Sequence, residues 1–174
     1  MTGTQRREHI LQQLHKTDIP ISATTLARAL SVTRQVIVGD VALLRAQGHD
    51  IAATPRGYLI PGTAPAGLIR QVACSHTAAD TREELCTMVD CGAEVLDVIV
   101  AHPVYGQLTA PLQIASRQDV QQFIERMQQS DAAPLSLLTE GIHLHTVSCP
   151  SEAVWQHLQT ALRQKGFLLS EQDD

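Results

Sequence analysis

Residues 26–60 read LARALSVTRQVIVGDVALLRAQGHDIAATPRGYLI, and two periodicities meet in them. As far as Leu44 the apolar positions recur at helical spacing. Leu26 and Leu30 stand four apart in a helix that Ser22 can cap, and Thr33 can cap the next one. In that second helix Ile37, Val41 and Leu44 follow the i, i+4, i+7 pattern of a buried face, and Gly48 ends it. The segments HDIAA and GYLI then flank Thr54-Pro55-Arg56-Gly57. Pro at the second and Gly at the fourth position suit a type I turn, so this stretch predicts a β-hairpin. An earlier helix over 5–16 places Ile10, Leu11 and Leu14 on one face.

Helix, helix, short turn, helix, hairpin is the order of a winged helix-turn-helix. The second helix of its pair enters the DNA major groove with its N-terminal residues at base edges. With Ile37, Val41 and Leu44 turned inward, Thr33, Arg34, Gln35 and Val38 face outward at the start of that helix. Arg and Gln read guanine and adenine edges in bidentate fashion. Arg56, at the hairpin tip, would touch phosphate or the minor groove. A double-stranded DNA operator is the expected partner, and a helical dimerisation module is the alternative. Gly39 stands mid-helix, where Gly costs roughly 1 kcal/mol relative to Ala. It either lets a backbone approach DNA closely or is a neutral surface replacement.

The net charge of −5 argues against nucleic acid until it is divided along the chain. Residues 1–65 carry seven Arg/Lys against four Asp/Glu, and the remainder six against fourteen, so a basic part precedes an acidic one. The segment PGTAPAG, residues 61–67, is the expected linker. Beyond it the pattern predicts a strand at 68–75, a helix at 80–91, strands at 94–102 and 107–112, and a helix at 117–130. Strands at 134–139 and 142–149 and a helix at 151–166 follow. This alternation predicts an α+β fold whose mostly antiparallel sheet is covered by helices.

A hydrophobic share of 44% with only 3% aromatic residues makes the core aliphatic. No apolar run approaches the ~18 residues of a membrane span, and MTGTQRREHI lacks the apolar region of an export signal. A cytoplasmic protein with no membrane partner is expected. Cys74, Cys86, Cys91 and Cys149 form no CxxC pair and read as reduced core thiols.

In GIHLHTVSCP, residues 141–150, His143 and His145 share one strand face. They form a metal site, a ligand-binding pair, or two polar residues on a wet sheet face. Three imidazoles and a carboxylate can hold Zn, Ni, Co or Fe(II). Completing such a set from His76 and Glu84 requires a fold that carries the 80–91 helix onto the 142–149 strand. Cys74, two residues before His76, could share its face and compete as a ligand. Packing as a small hydrophobe is the expectation for it.

The 26–60 run resembles the winged helix of bacterial ligand-responsive repressors. HTAADTREEL, VDCGAEVLDVIVAHPVYGQL and LTEGIHLHTV resemble the 3H (three-histidine) domain, which follows this kind of winged helix in nicotinate-responsive repressors of NAD synthesis. The resemblance implies a DNA-binding domain over 1–62 and a small α/β two-layer 3H domain over 68–174. It also implies a homodimer, one divalent transition metal (Ni, Zn, Fe or Co) and nicotinic acid as co-repressor. Carried over residue by residue, it assigns His76, Glu84, His143 and His145 to the metal, and His102 and Tyr105 to the effector. The implied function is repression of NAD-biosynthesis or niacin-uptake genes, without enzymatic activity. A metal-responsive regulator is the alternative, and a metal-dependent hydrolase a further one. For the latter, Asp80, Glu83 and Glu140 are ordinary in setting, and no nucleophile–base motif or phosphate-cradling glycine loop is present.

Overall fold

A hydroxyl starts each of the first three helices. Thr2, Ser22 and Thr33 accept from the backbone N–H of Gln5, Thr25 and Val36, and so cap α1 (Gly3–His15), α2 (Ala23–Ala29) and α3 (Arg34–Ala46). The computed structural model describes residues 1–62 and 67–169 of the chain, which divides into two units, Met1–Ala64 and Pro65–Asp174. Of the linker expected at 61–67, residues 63–66 lie outside the described residues.

In the first unit Ile10, Leu14, Leu26, Ile37, Val41, Leu44 and Ile51 form the core, all at helical spacing except Ile51 after the last turn. Asp40 on α3 is also buried, and Arg6 and Arg7 of α1 both pair with it, so one ion cluster ties the two helices together. The hairpin β1 (Ala52–Thr54) and β2 (Gly57–Leu59) is pinned by Tyr58, which exchanges backbone hydrogen bonds of 2.9 and 2.8 Å with Ile21. At Gly57, φ is +142° and a Cβ would stand 2.4 Å from the Ile21 backbone, so only glycine lets the hairpin approach this closely.

The second unit begins with β3 (Leu68–Ser75), α4 (Thr81–Asp90), β4 (Glu94–His102) and β5 (Gly106–Ile114). It continues with α5 (Arg117–Gln129), β6 (Ile142–Cys149) and α6 (Glu152–Gln164). The strands lie in the order β3-β6-β4-β5, with every neighbouring pair antiparallel. The last strand therefore inserts between β3 and β4, which run parallel to each other. Because α4 connects β3 to β4, it must cross over β6. This topology decides what α4 meets.

Val72, Val95, Leu112, Ile114 and Val147 of the sheet pack with Leu85, Met88, Val120, Leu158 and Leu162 of the helices. On the other face Ile69, Gln71, Gln107, Thr109 and Ile142 are exposed. After α6 the chain returns to the outer edge of β3, where Phe167 O accepts from Ser75 and the Leu169 N–H donates to Ala73. This edge contact satisfies groups that would otherwise be open for pairing with another chain.

Residues 134–139, expected as a strand, form a 3₁₀ turn instead, at Leu135–Thr139. Pro134 sets φ at −56°, the Leu137 N–H donates to Pro134, and Thr139 Oγ1 donates to Ser136. Glu140 and Gly141 then both take positive φ, which no strand continues through. The leucines Leu137 and Leu138 are both exposed, so the strand-like apolar content of this stretch does not mark a buried face. Among the described residues, no helix is long and apolar enough to cross a membrane.

Gly39 is exposed on α3, and a Cβ there would meet nothing within 4 Å. Gly39→Ala is therefore expected to stabilise the N-terminal unit by about 1 kcal/mol, the ordinary helix-propensity difference. Urea denaturation should show a higher midpoint with an unchanged slope, and a lower midpoint would mean that the helix needs glycine there for its own packing.

Candidate metal centre

The crossover of α4 over β6 brings Glu84 down onto the face of His143 and His145. These two histidines point to the helix-covered side of the sheet, and His76 follows β3 at the start of the same crossover. Glu84 is 1% exposed, and the side chains of all three histidines are 4% exposed or less. Nε2 of His143 lies 3.0 Å from Glu84 Oε1. Nε2 of His76 and of His145 lie 2.8 and 3.4 Å from Oε2. Three imidazoles thus face one buried carboxylate.

The far nitrogen of each ring explains how they are aimed. Nδ1 of His76, His143 and His145 lies 2.7, 2.8 and 2.7 Å from the backbone oxygens of Thr77, Gly141 and Asp97. A carbonyl only accepts, so each Nδ1 carries the proton. A neutral ring so tied presents a bare lone pair at Nε2, as metal-bound histidines do when a backbone oxygen fixes their tautomer. Glu84 also presents only lone pairs. Acceptors facing acceptors in a buried site need protons or a cation between them.

The structure offers a direct test of whether a cation fits. Nε2 of His76 is buried and makes no hydrogen bond, although Glu84 Oε2 is 2.8 Å away. The two atoms are close without being aimed at each other. Donors sharing one ion at about 2.1 Å stand roughly 3.0–3.4 Å apart at angles of about 90–110°, and the three nitrogen-to-Glu84 spacings are near this range. Cys74, Glu84 and His143 also offer one donor atom each within 4.8 Å of one another. The chemistry of these three donors, one nitrogen, one oxygen and one sulfur, suits a divalent transition metal.

Without a cation the cluster holds protons. Burial pulls His76 and His145 down, but the nearness and charge of Glu84 lift both above the ordinary 6.5. Burial pushes Glu84 up, yet the charge of His145 and the close approach of His143, His145 and His76 hold it well below 4.5. Each partner thus favours the charged form of the other.

Three supporting residues are not evident from the sequence. Asp97 sits at a bulge in β4, where its backbone oxygen accepts from His145 and its carboxylate accepts from the Thr146 N–H. Gly141 accepts from His143 at a φ of +97°, and a Cβ there would lie 2.3 Å from His76 O. Its place two residues before His143 is the one available signal. Phe167 lies against His76, with ring centroids 5.3 Å apart.

His102 and Tyr105 stand elsewhere, at the β4–β5 turn. His102 Nδ1 accepts from the N–H groups of Val104 and Tyr105, the two rings are 4.9 Å apart, and Tyr105 is 75% exposed. Their contacts stay within this turn and do not reach Glu84 or its histidines. In the first unit Thr33, Arg34 and Gln35 are exposed at the start of α3, Val38 is half-buried one turn on, and Arg56 is half-buried in the hairpin turn.

Comparison with known proteins covers both units. The HTH domain family matches residues 6–59 and the 3H domain family residues 69–171. The chain is 40% identical over 167 residues to the probable transcription repressor NiaR of Thermotoga maritima, covering 96% of this chain and 95% of that one. It is 39% identical over 174 residues to the transcription repressor NadR of Bacillus subtilis, covering 98% and 97%. Both are named as repressors and neither as an enzyme.

Two outcomes follow from the cluster. In metal-free protein the raised histidines contribute stability that is complete below 6.5 and lost as pH rises through their folded values. The lowered Glu84 contributes stability present above 4.5 and lost as pH falls through its folded value. Calorimetry with chelator should therefore show the thermal midpoint falling on the alkaline side of that window. The Glu84→Gln variant should lack this fall, and equal pH profiles would remove the cluster as its source. Gly141→Ala should cost about 1–3 kcal/mol in backbone strain and also weaken metal uptake, read by denaturation and metal titration. Unchanged uptake would show that the approach to His76 does not shape the centre.

Proposed function

We propose, from the premise that the chain belongs to the 3H-domain transcription repressors with an N-terminal HTH domain, that it represses NAD-biosynthesis or niacin-uptake genes with nicotinic acid as co-repressor. One observation carries the reading: three buried imidazoles, each tied at Nδ1 to a backbone oxygen, turn Nε2 toward a buried carboxylate in a chain that also holds a helix-turn-helix.

Residues 1–62 read the operator. Arg34 and Gln35 offer the side chains that pair with guanine and adenine edges, Thr33 and Val38 flank them, and Arg56 faces the backbone from the hairpin. Residues 68–174 hold the effector unit, with His76, Glu84, His143 and His145 binding one divalent metal of the Ni, Zn, Fe or Co kind. A metal bound there supplies a positive charge for an anionic ligand. Three neutral imidazoles and one carboxylate leave it about one formal charge. The chain's own part is to keep the rings in one tautomer and the site dry, which strengthens attraction for a carboxylate. His102 and Tyr105, whose rings are tilted at 35° in the β4–β5 turn, offer an aromatic surface to the effector away from Glu84 and its histidines.

The protein acts in the cytoplasm as a homodimer whose two reading helices lie about one DNA turn, ~34 Å, apart. Nicotinate favours the DNA-bound arrangement only by its difference in affinity for the two arrangements. A metal-responsive regulator is the second reading, because the protonated cluster itself competes with a metal.

A mobility-shift titration separates the two readings. With metal present, nicotinate should tighten operator binding at least tenfold. Metal alone should do so if the ion is the signal. No change with either would count against both. His143→Ala should lower metal affinity by more than about 100-fold, beyond the loss of an outer-shell hydrogen bond.

A further inference from the structure

We infer that Cys74 is a further ligand of this centre, bound through sulfur as a thiolate, so that the ion is held by three imidazoles, one carboxylate and one thiolate. The inference rests on the reading of the cluster as a metal centre and extends its ligand set.

Position comes first. Cys74 lies directly across from His143 in the β3–β6 pairing, so the two side chains stand beside each other on the helix-covered face. Its sulfur, an oxygen of Glu84 and a nitrogen of His143 are mutually within 4.8 Å. Cys74 is also fully buried. The sulfur therefore has no solvent, and its nearest polar neighbours are the groups that face one another across the site.

A second observation concerns Glu84, the oxygen donor of that trio, whose Oε2 lies 2.8 Å from His76 Nε2. Nε2 of His76, two residues along the chain from Cys74, is buried and makes no hydrogen bond. A thiol can lose its proton to bind an ion that the nitrogen also binds. In this step the S–H bond breaks, its proton leaves to solvent, and a sulfur lone pair forms the bond to the metal. Nothing is oxidised or reduced.

Two consequences are chemical. A soft sulfur among imidazoles moves preference away from Mg and Mn and toward Zn, Co and Ni. The thiolate also brings the formal charge of the centre from +1 to zero, so sulfur and an effector carboxylate compete for one cation.

Cobalt(II) reports sulfur directly. Full-length, metal-free protein is titrated with Co(II), following the visible d–d bands and the near-ultraviolet sulfur-to-cobalt charge-transfer band. Wild type should show both at one equivalent. Cys74→Ser and Cys74→Val should keep one-equivalent uptake and the d–d bands but lose the charge-transfer band, the Val variant preserving an apolar side chain in the core. Stoichiometric binding by wild type without that band overturns the inference and leaves the four-ligand centre standing. Persistence of the band in either folded variant also overturns it, by assigning the sulfur to another cysteine. Absence of any Co(II) uptake by wild type overturns the metal reading itself.

Discussion

Glu84 is buried with three imidazole nitrogens within 3.4 Å of its two oxygens, and the surrounding elements are placed as that contact requires. A carboxylate out of water is costly unless it is paired and hydrogen-bonded. Here the pairing comes from three separate stretches of chain. The insertion of β6 between β3 and β4 puts two histidines under the crossover helix, and the end of β3 supplies the third. The bulge at Asp97 and the positive φ of Gly141 place the backbone oxygens that orient two of the rings. Removing one partner would leave the others facing bare lone pairs. The same electrostatic conflict that makes the metal-free cluster hold protons makes it receptive to a cation.

The N-terminal unit solves a different problem with ordinary means. Its core is a helical stripe of aliphatic residues, and its one buried acid, Asp40, is shared between two arginines of α1. That leaves the start of α3 free of structural duty, with Arg34 and Gln35 exposed beside an open Gly39. Side chains proposed to read DNA have to be spared from holding the fold together. In this unit they are.

The helical parts were legible because their signals are local. Thr33 caps three residues ahead, and Ile37, Val41 and Leu44 repeat with the helix. The 3₁₀ turn at 135–139 was not, because a short apolar run bounded by Pro and Gly reads equally as a strand, and only the backbone of Glu140 and Gly141 decides. At the centre, HLH announced two rings on one face. That Glu84 and His76 join them depends on strand order, which is a non-local property and entered only through family resemblance. Cys74 read as a packing residue because a buried thiol is chemically ambiguous until its neighbours are known. His102 and Tyr105 form a conspicuous motif whose hydrogen bonds and ring contact lie within its own turn, apart from Glu84.

The HLH pair also bears on how β6 keeps its place. A slip of one residue would carry both imidazoles to the other sheet face, away from the carboxylate and leaving it His76 alone of the three rings. Glu84 lies 59 and 61 residues before them in the chain. An ion joining these positions closes a loop as a cross-link does, and loops of that length correspond to about 4 kcal/mol of chain entropy in the disulfide treatment. The centre can thus act as a removable staple: loading it would fasten an inner strand of the sheet, and emptying it would return that strand to packing, backbone hydrogen bonds and the Glu84 ion pairs.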